Sequence, residues 1–397
     1  MSSGSLSVPR RRFGRTELAM PVLTCGGMRY QHSWQDTAPG DIPSDNQANL
    51  EATIHRALDA GICHIETARG YGSSEMQLGR LLPRLPRDSM IVQTKIAPHE
   101  DPSAFAATFE KSMSLLGLDY VDLLSIHGIN NDALLETALT NIPYIRTLQK
   151  QGRVRHLGFS THASCGSILR TLNTGEFDYV NLHWYWIFQE NEPAVRRASE
   201  LDMGVFIISP NDKGGRLYEP TRAFSDGTAP LSPMIFNNLF CLNRQEVHTL
   251  SIGAARPSDF DEHLKTFAHW EQRSSLVSQA ESALLGRIEK TIGRDWWFHF
   301  AEGLPDWEHA PDHINIKLIL WLWSLDQALD MREYAKQRYG LLGNAGHWFP
   351  GEKAANLDGI DWQAVLSGSR FADVIPTRLQ EAHAWFGGEE KKRLSQS

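Results

Sequence analysis

The sequence predicts an α/β protein built on a (β/α)8 TIM barrel, with an N-terminal hairpin and a helical C-terminal extension. Eight short apolar segments with the pattern of strands alternate with amphipathic segments between about residue 21 and residue 268. Strand followed by helix, repeated this often, indicates parallel βα units. The number of strands and the length of the region favour a closed barrel over an open doubly wound sheet.

Three parts follow from this pattern: an N-terminal segment and hairpin over residues 1–20, the barrel over 21–275 and the extension over 276–397. The segment Arg12–Leu18 has the length of a short hairpin that would cover the barrel bottom. The strand candidates are Val22–Cys25, Ile62–Ile65, Ile91–Gln93, Val121–Ile126, Val154–Phe159, Tyr179–Leu182, Val205–Ile208 and Thr249–Ile252. Helical patterning is clear at Ser103–Leu116 and Asn131–Lys150. The connection Asn211–Glu246 is unusually long, and long loops at a barrel mouth are often functional.

The region beyond residue 275 is rich in tryptophan and has a helical pattern. Ile314–Leu342 has apolar residues three and four positions apart, which predicts a helix or a helical pair. We interpret the region as a packing appendage, with a lid or a partner surface as the alternative. His309 and His313 have the spacing of helical metal ligands, but Pro311 between them is unfavourable inside a helix. No metal site is therefore predicted.

The composition of the chain argues against several classes of protein. The formal net charge is −8 and no long basic stripe occurs, which argues against nucleic acid as a partner. The apolar run Ile314–Leu325 is too short to span a bilayer, and the N-terminus lacks the apolar core of a secretory signal. The four cysteines form no Cys-x-x-Cys pair, which fits reduced thiols. We expect a cytoplasmic protein away from membranes, and the oligomeric state stays open.

Four polar residues lie at or just after the ends of successive predicted strands: Glu66, Tyr71, Lys95 and His127. Side chains at these ends of a parallel barrel meet over one mouth, where barrel enzymes do their chemistry. An ammonium about 4 Å from a phenol is worth on the order of 4 kcal/mol at an effective dielectric near 20. This predicts that Lys95 lowers the pKa of Tyr71 by up to about three units and makes it a general acid. Glu66 would hold Lys95, and His127 would orient a carbonyl. No side chain donates a hydride, so a nicotinamide coenzyme is implied.

No Gly-x-Gly-x-x-Gly follows the first strand and no Walker loop occurs, so a nucleotide would be held in another way. The chain resembles the aldo-keto reductase family at several motifs in the right order. Ile65–Glu75 is similar to the family's Phe-Asp-Thr-Ala…Tyr-Gly-x-Ser-Glu signature, and Val92–Lys95 and Asp122–His127 match the segments that carry the catalytic lysine and histidine. Gly152–Ser160 is similar to the family's Gly-Lys-Ile-Arg-x-Ile-Gly-x-Ser. The resemblance covers about the first 270 residues.

The resemblance implies a barrel that binds NADP(H) extended across its mouth, with NAD(H) as the alternative. Ser160 and Asn181 match residues that hold the nicotinamide carboxamide, Ser209 opens the loop over the pyrophosphate, and Arg256 matches a residue near the 2′-phosphate. A guanidinium binds phosphate in bidentate fashion. The full set of implied coenzyme-binding residues is Gly27, Met28, Ser160, Thr161, Asn181, Ser209, Gly253 and Arg256.

Several positions depart from the family pattern. Glu66 replaces the family's aspartate, and its extra methylene moves the carboxylate outward by about a bond length. Two hypotheses follow: Glu66 still pairs with Lys95 through a changed rotamer, or it intrudes toward the coenzyme and weakens hydride transfer. Thr161 stands where Asn is common, Ile208 where a stacking tyrosine is common, and Asp259 and His263 where a cation and Asn are common.

The resemblance predicts an NADPH-dependent reductase that converts an aldehyde or ketone to an alcohol, with Tyr71 as proton donor. Its expected partner is a small-molecule carbonyl substrate. The alternative is a low-turnover protein that senses a cofactor or binds a partner on the same barrel. Some family members carry an iron–sulfur segment at the C-terminus, but no cysteine occurs beyond Cys241, which excludes such a cluster on ligand grounds.

Overall fold

The computed structural model describes residues 8–344 and 349–388. Its strands are β1 (Arg10–Arg12), β2 (Ala19–Pro21), β3 (Leu23–Gly26), β4 (His64–Glu66), β5 (Ile91–Ile96), β6 (Val121–His127), β7 (Val154–Ser160), β8 (Tyr179–Leu182), β9 (Gly204–Ile207) and β10 (Thr249–Ile252). Strands β3 to β10 form a closed parallel barrel in chain order, and β1 pairs with β2 in an antiparallel hairpin. The predicted (β/α)8 barrel and N-terminal hairpin are confirmed.

Helices connect the strands and fill the C-terminal region. They are α1 (Ser44–Asp59), α2 (Ser74–Gly79), α3 (Pro102–Leu116), α4 (Asp132–Lys150), α5 (Cys165–Asn173), α6 (Glu192–Glu200), α7 (Arg222–Thr228), α8 (Pro233–Asn243), α9 (Phe260–Leu264), α10 (Arg273–Thr291), α11 (Arg294–His299), α12 (Ile316–Leu329), α13 (Arg332–Tyr339), α14 (Trp362–Val365) and α15 (Ile375–Phe386). Asn131 and Asp101 begin α4 and α3 as side-chain N-caps, accepting hydrogen bonds from Leu134 N and Ser103 N.

Phe13 fills the bottom of the barrel from the N-terminal hairpin. Its ring packs 5.6 Å from that of Tyr179 and 5.5 Å from that of His248. A Cβ on Gly204, at the start of β9, would lie 2.6 Å from the Phe13 ring, so only glycine fits there. The hairpin therefore lies where the sequence predicted it, and the chemistry is left to the opposite end of the barrel.

The barrel strands reach further toward the mouth than the apolar runs suggested. The apolar run ended at Gln93, whereas β5 continues to Ile96 and contains Lys95. Polar residues at the mouth face the barrel interior, so hydrophobic patterning ends before the hydrogen-bonded ladder does. Register pairs His127 with Ser160 and Ser160 with Asn181 across three neighbouring strands.

The chain divides into two compact units, Met1–Gly214 with Asn237–Ser274, and Gly215–Phe236 with Ser275–Ser397. The long connection expected to be one mouth loop instead contains α7 and α8, and part of it belongs to the second unit. The predicted helical pair is α12 followed by α13. In the second unit, Arg378 stacks 3.6 Å from the centre of the Trp296 ring and 4.5 Å from that of Trp323. Trp296 Nε1 donates to Ser324 Oγ at 2.8 Å.

Within residues 8–344 and 349–388, no helix is long and apolar enough to cross a membrane. The same part of the chain contains no group of three or more His, Cys, Asp or Glu side chains placed to hold a metal ion. All four cysteines are free thiols, and Cys25, Cys63 and Cys241 are buried.

Three histidines of the barrel unit, the buried His64 and His263 and the half-buried His248, are expected to make its stability depend on pH. Burial lowers the pKa of His64 to about 3, and those of His248 and His263 to about 4. The unfolded chain binds protons near pH 6.5, where these folded imidazoles do not, so stability is full above pH 6.5 and falls as the pH drops. Each histidine then costs about 1.4 kcal/mol per pH unit in the free energy of unfolding.

Urea unfolding measured from pH 7.5 to pH 5 tests this expectation. His248→Gln should reduce the slope of the free energy of unfolding against pH by about one proton, because one titrating imidazole is removed. The side-chain oxygen of glutamine can still accept the hydrogen bond that Val205 N donates to His248 Nδ1 at 3.0 Å. The exposed His55→Gln should leave the slope unchanged. A stability that does not vary between pH 6.5 and 5 would contradict the neutral, buried state of these imidazoles.

Candidate active site

Lys95 occupies the centre of the predicted catalytic group. Its side chain on β5 is 2% exposed and forms a direct ion pair with Glu66. Lys95 Nζ also donates to the carbonyl oxygen of Thr67 at 2.7 Å and to Tyr71 OH at 3.2 Å. The strand ends therefore bring the carboxylate, the ammonium and the phenol into contact, as the sequence predicted.

Glu66, the last residue of β4, reaches Lys95 despite its extra methylene. Gly26, its register partner on β3, provides the space, because a Cβ there would lie 3.2 Å from Glu66 Oε2 and 2.6 Å from Ser251 Oγ. Gly27 is equally constrained, since its Cβ would lie 2.6 Å from the carbonyl oxygen of Glu66. This geometry agrees with the hypothesis that Glu66 keeps the ion pair.

Tyr71 lies in the turn after β4, close to His127 at the end of β6. The two rings are edge to face with centroids 5.8 Å apart. The next residue, Gly72, has φ +53°, and a Cβ there would lie 2.1 Å from the carbonyl oxygen of Ser33. Glycine is thus required for the turn that presents the phenol. Trp34, from the connection after β3, packs edge-on against Tyr71 at 6.4 Å.

An ion-pair network that the sequence did not reveal fixes this turn. Glu75 is fully buried and accepts from Arg69 at 2.8 Å and from Thr94 Oγ1 at 2.6 Å. Arg69 also pairs with Asp36. The segment between Arg69 and Glu75 contains Tyr71, so both ends of the turn are tied to the barrel. Trp34 was missed as well; an aromatic side chain just after the first barrel strand was the available signal.

The pKa of Tyr71 differs from the sequence-based expectation. Burial raises it above the ordinary value of 10, because the phenolate would lose its hydration. Burial likewise lowers the pKa of Lys95 well below 10.5. The expected lowering of the Tyr71 pKa by Lys95 is wrong for this arrangement, because the loss of hydration on burial dominates. Tyr71 is therefore fully protonated at neutral pH.

Asn181 and Ser160 lie beside His127 in register. Ser160 is 4% exposed, and its Oγ accepts from Gly128 N at 3.1 Å. Asn181 is completely buried, yet neither its Nδ2 nor its Oδ1 has a hydrogen-bond partner in the described part of the chain. Leaving a buried amide unsatisfied costs about 1–3 kcal/mol for each group. Such a group in a mouth-facing layer has the donor and acceptor that a ligand amide requires.

The other predicted coenzyme residues are placed around the mouth with different surroundings. Thr161 Oγ1 donates to the carbonyl oxygen of Ile129 at 2.6 Å and accepts from Ala163 N, so its hydroxyl serves the backbone. Met28 is half-buried after β3. Ser209 has φ +53° and accepts at its carbonyl from Lys213 N, which makes the following loop tight.

Two contacts hold this loop in place. Asp212 pairs with Arg29 at 3.8 Å, and a Cβ on Gly253 would lie 3.3 Å from Arg29 Cδ. His263, which replaces the family's Asn, is buried between Asn211 and Asn238, with ring nitrogens 3.0 and 2.9 Å from their amides. A neutral imidazole has one donor and one acceptor, so one of the two amides presents its oxygen.

Arg256 precedes the short turn after β10. Its side chain is 71% exposed, and its Nε lies 3.3 Å from Asp259 Oδ1. Asp259 Oδ2 accepts from Ala255 N at 2.8 Å, so the carboxylate also orders the turn. The exposed guanidinium is available to a phosphate, in competition with Asp259.

Comparison with known proteins agrees with this geometry. Residues 22–182, which carry the four predicted catalytic residues, match the model of the Aldo/keto reductase family. Residues 22–182 of the barrel are therefore similar to the aldo/keto reductase family. This confirms the resemblance inferred from the motifs.

Curated relatives match over part of their length. L-galactose dehydrogenase of Arabidopsis thaliana is 33% identical over 118 residues, which cover 28% of this chain and 37% of the relative. NADH-specific methylglyoxal reductase of Escherichia coli (strain K12) is 26% identical over 220 residues, covering 50% of this chain and 66% of the relative. The chain thus spans between 37% and 66% of these relatives.

Solved structures share the barrel fold. Aldo-keto reductase AKR11C1 from Bacillus halodurans superposes with a TM-score of 0.56 and 17% identity, covering 70% of this chain and 96% of that one. An aldo-keto reductase from Klebsiella pneumoniae, solved in complex with NADPH, gives a TM-score of 0.54 and 18% identity over 68% and 93% of the two chains. At this identity, the likeness concerns the fold alone.

Proposed function

We propose that this aldo/keto reductase barrel reduces an aldehyde or ketone to an alcohol with a reduced nicotinamide dinucleotide. The observation that carries the proposal is the buried, unsatisfied amide of Asn181, in register with Ser160 and, through it, with His127. A nicotinamide carboxamide is itself a primary amide and would satisfy both atoms of Asn181. The residues present therefore fit this coenzyme.

The coenzyme, when bound, supplies the hydride for the carbonyl carbon. The chain supplies the proton: Tyr71 donates from its hydroxyl to the developing alkoxide. An alkoxide is about as basic as hydroxide, whose conjugate acid has a pKa of about 15.7. Proton transfer from a buried phenol is therefore downhill even though burial raises the pKa of Tyr71.

The neighbours of Tyr71 position that proton. Lys95 Nζ donates to Tyr71 OH, so the hydroxyl hydrogen is directed away from the ammonium and toward the mouth. The ion pair with Glu66 opposes the effect of burial on Lys95 and favours its charged form. His127 donates a hydrogen bond to the carbonyl oxygen, and Trp34 forms a wall of the substrate site. We assign the reaction to the barrel domain, residues 21–275. We also propose that the protein is cytoplasmic and that its substrate is a small-molecule carbonyl compound.

NADPH is the proposed coenzyme in preference to NADH. Arg256 has the exposure and the guanidinium geometry that a 2′-phosphate requires. Asp259 competes for the same guanidinium, which keeps NADH as a usable coenzyme. The relatives include both kinds: one is named as NADH-specific, and one structure contains NADPH.

Dissociation constants of NADPH and NADH, measured by fluorescence quenching, test both assignments in one experiment. Asn181→Leu should weaken both coenzymes by about tenfold or more, because the apolar side chain offers no hydrogen bond to the carboxamide. Arg256→Met should weaken NADPH by a similar factor and leave NADH unchanged, since NADH lacks the 2′-phosphate.

Each variant serves as the other's control. Unchanged binding of both coenzymes to Asn181→Leu would refute the carboxamide site. Equal weakening of NADPH and NADH by Arg256→Met would refute the 2′-phosphate assignment but not the reductase.

A further inference from the structure

The connection from β3 to α1 places one carboxylate beside the Tyr71 turn, the segment from Arg69 to Glu75. Asp36 lies two residues after Trp34 in this connection, and its side chain is 50% exposed. Its Oδ1 accepts from Arg69 Nη2, and its Oδ2 accepts from the Nζ of a lysine on α3, Lys111. The carboxylate therefore joins three parts of the barrel unit: the connection after β3, the Tyr71 turn and helix α3.

Arg69 transmits this link to the phenol. Its side chain is 14% exposed, and its Nη1 donates to the buried Glu75 at 2.8 Å, so the guanidinium lies between a buried and a half-exposed carboxylate. Its backbone N donates to the carbonyl oxygen of Lys95 at 2.9 Å, and Tyr71 N donates to that of Ala68 at 3.0 Å. Because the turn is this short, a shift of the guanidinium is expected to move the phenol.

Trp34 is anchored on both sides along the chain. On one side, Ser33 N donates to Ser73 Oγ at 3.0 Å, and Ser73 N donates to the carbonyl oxygen of Ser33 at 2.9 Å. On the other side, Asp36 forms its two ion pairs. The position of the Trp34 ring, whose centroid is 6.4 Å from that of Tyr71, thus depends on one neutral anchor and one charged anchor.

Open space beside Asp36 makes the charged anchor important. Two clefts of about 300 Å³ each adjoin its side chain. The first is lined by Trp34, Arg69 and Gly70, and the second by Met76, Lys111 and Leu115. An unfilled space gives no packing contacts, so the ion pairs carry this part of the positioning. Because Asp36 is half exposed, dissolved salt weakens these pairs more than it weakens the neutral hydrogen bonds of Ser33.

We infer that Asp36 is a positioning residue for the proposed reduction. Through Arg69 and Lys111, it holds the tryptophan wall and the phenol in their working places. The inference rests on the proposed function, in which Tyr71 donates the proton and Trp34 borders the substrate. Asp36 acts through its cationic partners and not on the carbonyl itself. Its charge should therefore affect kcat and KM for the carbonyl compound and leave coenzyme binding unchanged.

Steady-state kinetics of Asp36→Asn with a neutral aromatic aldehyde, at saturating coenzyme, test the inference. Asparagine keeps the shape of the side chain and removes its charge. We expect a lower kcat, a higher KM and a kcat/KM reduced by about tenfold or more, because small misplacements at a reacting centre are costly. Lys111→Met leaves the Arg69 pair intact and should lose less. Asp36→Glu keeps the charge and should recover most of kcat/KM.

Salt provides a readout that a loss of folding would not reproduce. Raising sodium chloride from about 0.1 M to about 1 M shortens the Debye length from about 10 Å to about 3 Å. This change should lower the kcat/KM of the wild type by about threefold and leave that of Asp36→Asn unchanged. Glu110→Gln is the matched control, because it removes a carboxylate of similar exposure that pairs with Arg153 on the same helix as Lys111. It should behave like the wild type.

Hydrogen exchange of the full chain, followed by mass spectrometry, measures the anchoring without turnover. Peptides that cover residues 28–43 and 69–75 should exchange about two- to fivefold faster in Asp36→Asn, and those of α4 should not change. Unchanged kinetics in Asp36→Asn would overturn the positioning role, whether or not exchange is faster. Failure of the reductase proposal would appear separately, as an absence of turnover in the wild type while the difference in exchange remains.

Discussion

Replacing Tyr71 with phenylalanine is expected to lower kcat for carbonyl reduction by about 10²- to 10⁴-fold, the usual contribution of a general acid. The phenyl ring keeps the edge-on packing against His127 and Trp34 but has no proton to donate. Coenzyme binding should be unchanged, because the coenzyme is assigned to Asn181, Ser160 and the loop after β9. Coenzyme oxidation at saturating aldehyde, beside a coenzyme titration, measures both quantities.

Tyr144→Phe is the matched control, since it removes a hydroxyl on the outer helix α4, where the hydroxyl's partner Glu110 is 3.5 Å away. Its kcat should equal that of wild type. The pH profile adds an independent check. Because burial raises the pKa of Tyr71, the phenol stays protonated and its ionisation should not lower the rate of reduction between pH 6 and pH 9. A rate that falls above pH 7 would indicate a lowered pKa, and an active Tyr71→Phe would exclude Tyr71 as the proton donor.

Replacing Lys95 with methionine is expected to reduce both activity and stability. The change leaves the carboxylate of Glu66, which is 3% exposed, as an unpaired buried charge. Breaking a buried ion pair in this way costs about 3–5 kcal/mol in the free energy of unfolding. Activity should also fall, because Tyr71 loses the donor that orients its hydroxyl. Urea unfolding and steady-state rates provide the two measurements.

The double variant Lys95→Met/Glu66→Gln separates the two effects. Removing both charges should recover most of the stability, because no unpaired buried charge remains. The activity should stay low, because Tyr71 still lacks the donor that orients its hydroxyl. Lys111→Met is the control: its pair with Asp36 is about half exposed, so its loss should cost less than about 1 kcal/mol. Equal stability of wild type and Lys95→Met would show that the buried pair carries no charge.

The fold and the convergence of the candidate catalytic residues could be predicted from sequence because each is encoded locally. Alternation of apolar strands and amphipathic helices specifies the barrel, and strand ends place Glu66, Lys95 and His127 at one mouth. The protonation state of Tyr71 could not be predicted, since it depends on how completely neighbouring elements exclude water. The close approach of Gly26 to the Glu66 carboxylate, which leaves room for the longer side chain, is likewise set by packing.

Other features depend on contacts between residues far apart in the chain. Arg69 and Glu75 had no sequence signal linking them to Asp36, because the pairing depends on a loop conformation. The length of the segment Asn211–Glu246 indicates a long connection but does not predict the helices α7 and α8 within it.

Transfer of deuterium from coenzyme to product tests the central claim most directly. The purified chain would be incubated with 4-deuterated NADPH or NADH and an activated aldehyde, and the alcohol examined by mass spectrometry. The reductase account predicts one deuterium on the carbinol carbon, with no label from solvent D₂O at that position. Coenzyme that binds without transferring label to any aldehyde or ketone tested would contradict it, and would leave a cofactor-binding barrel without reductase chemistry.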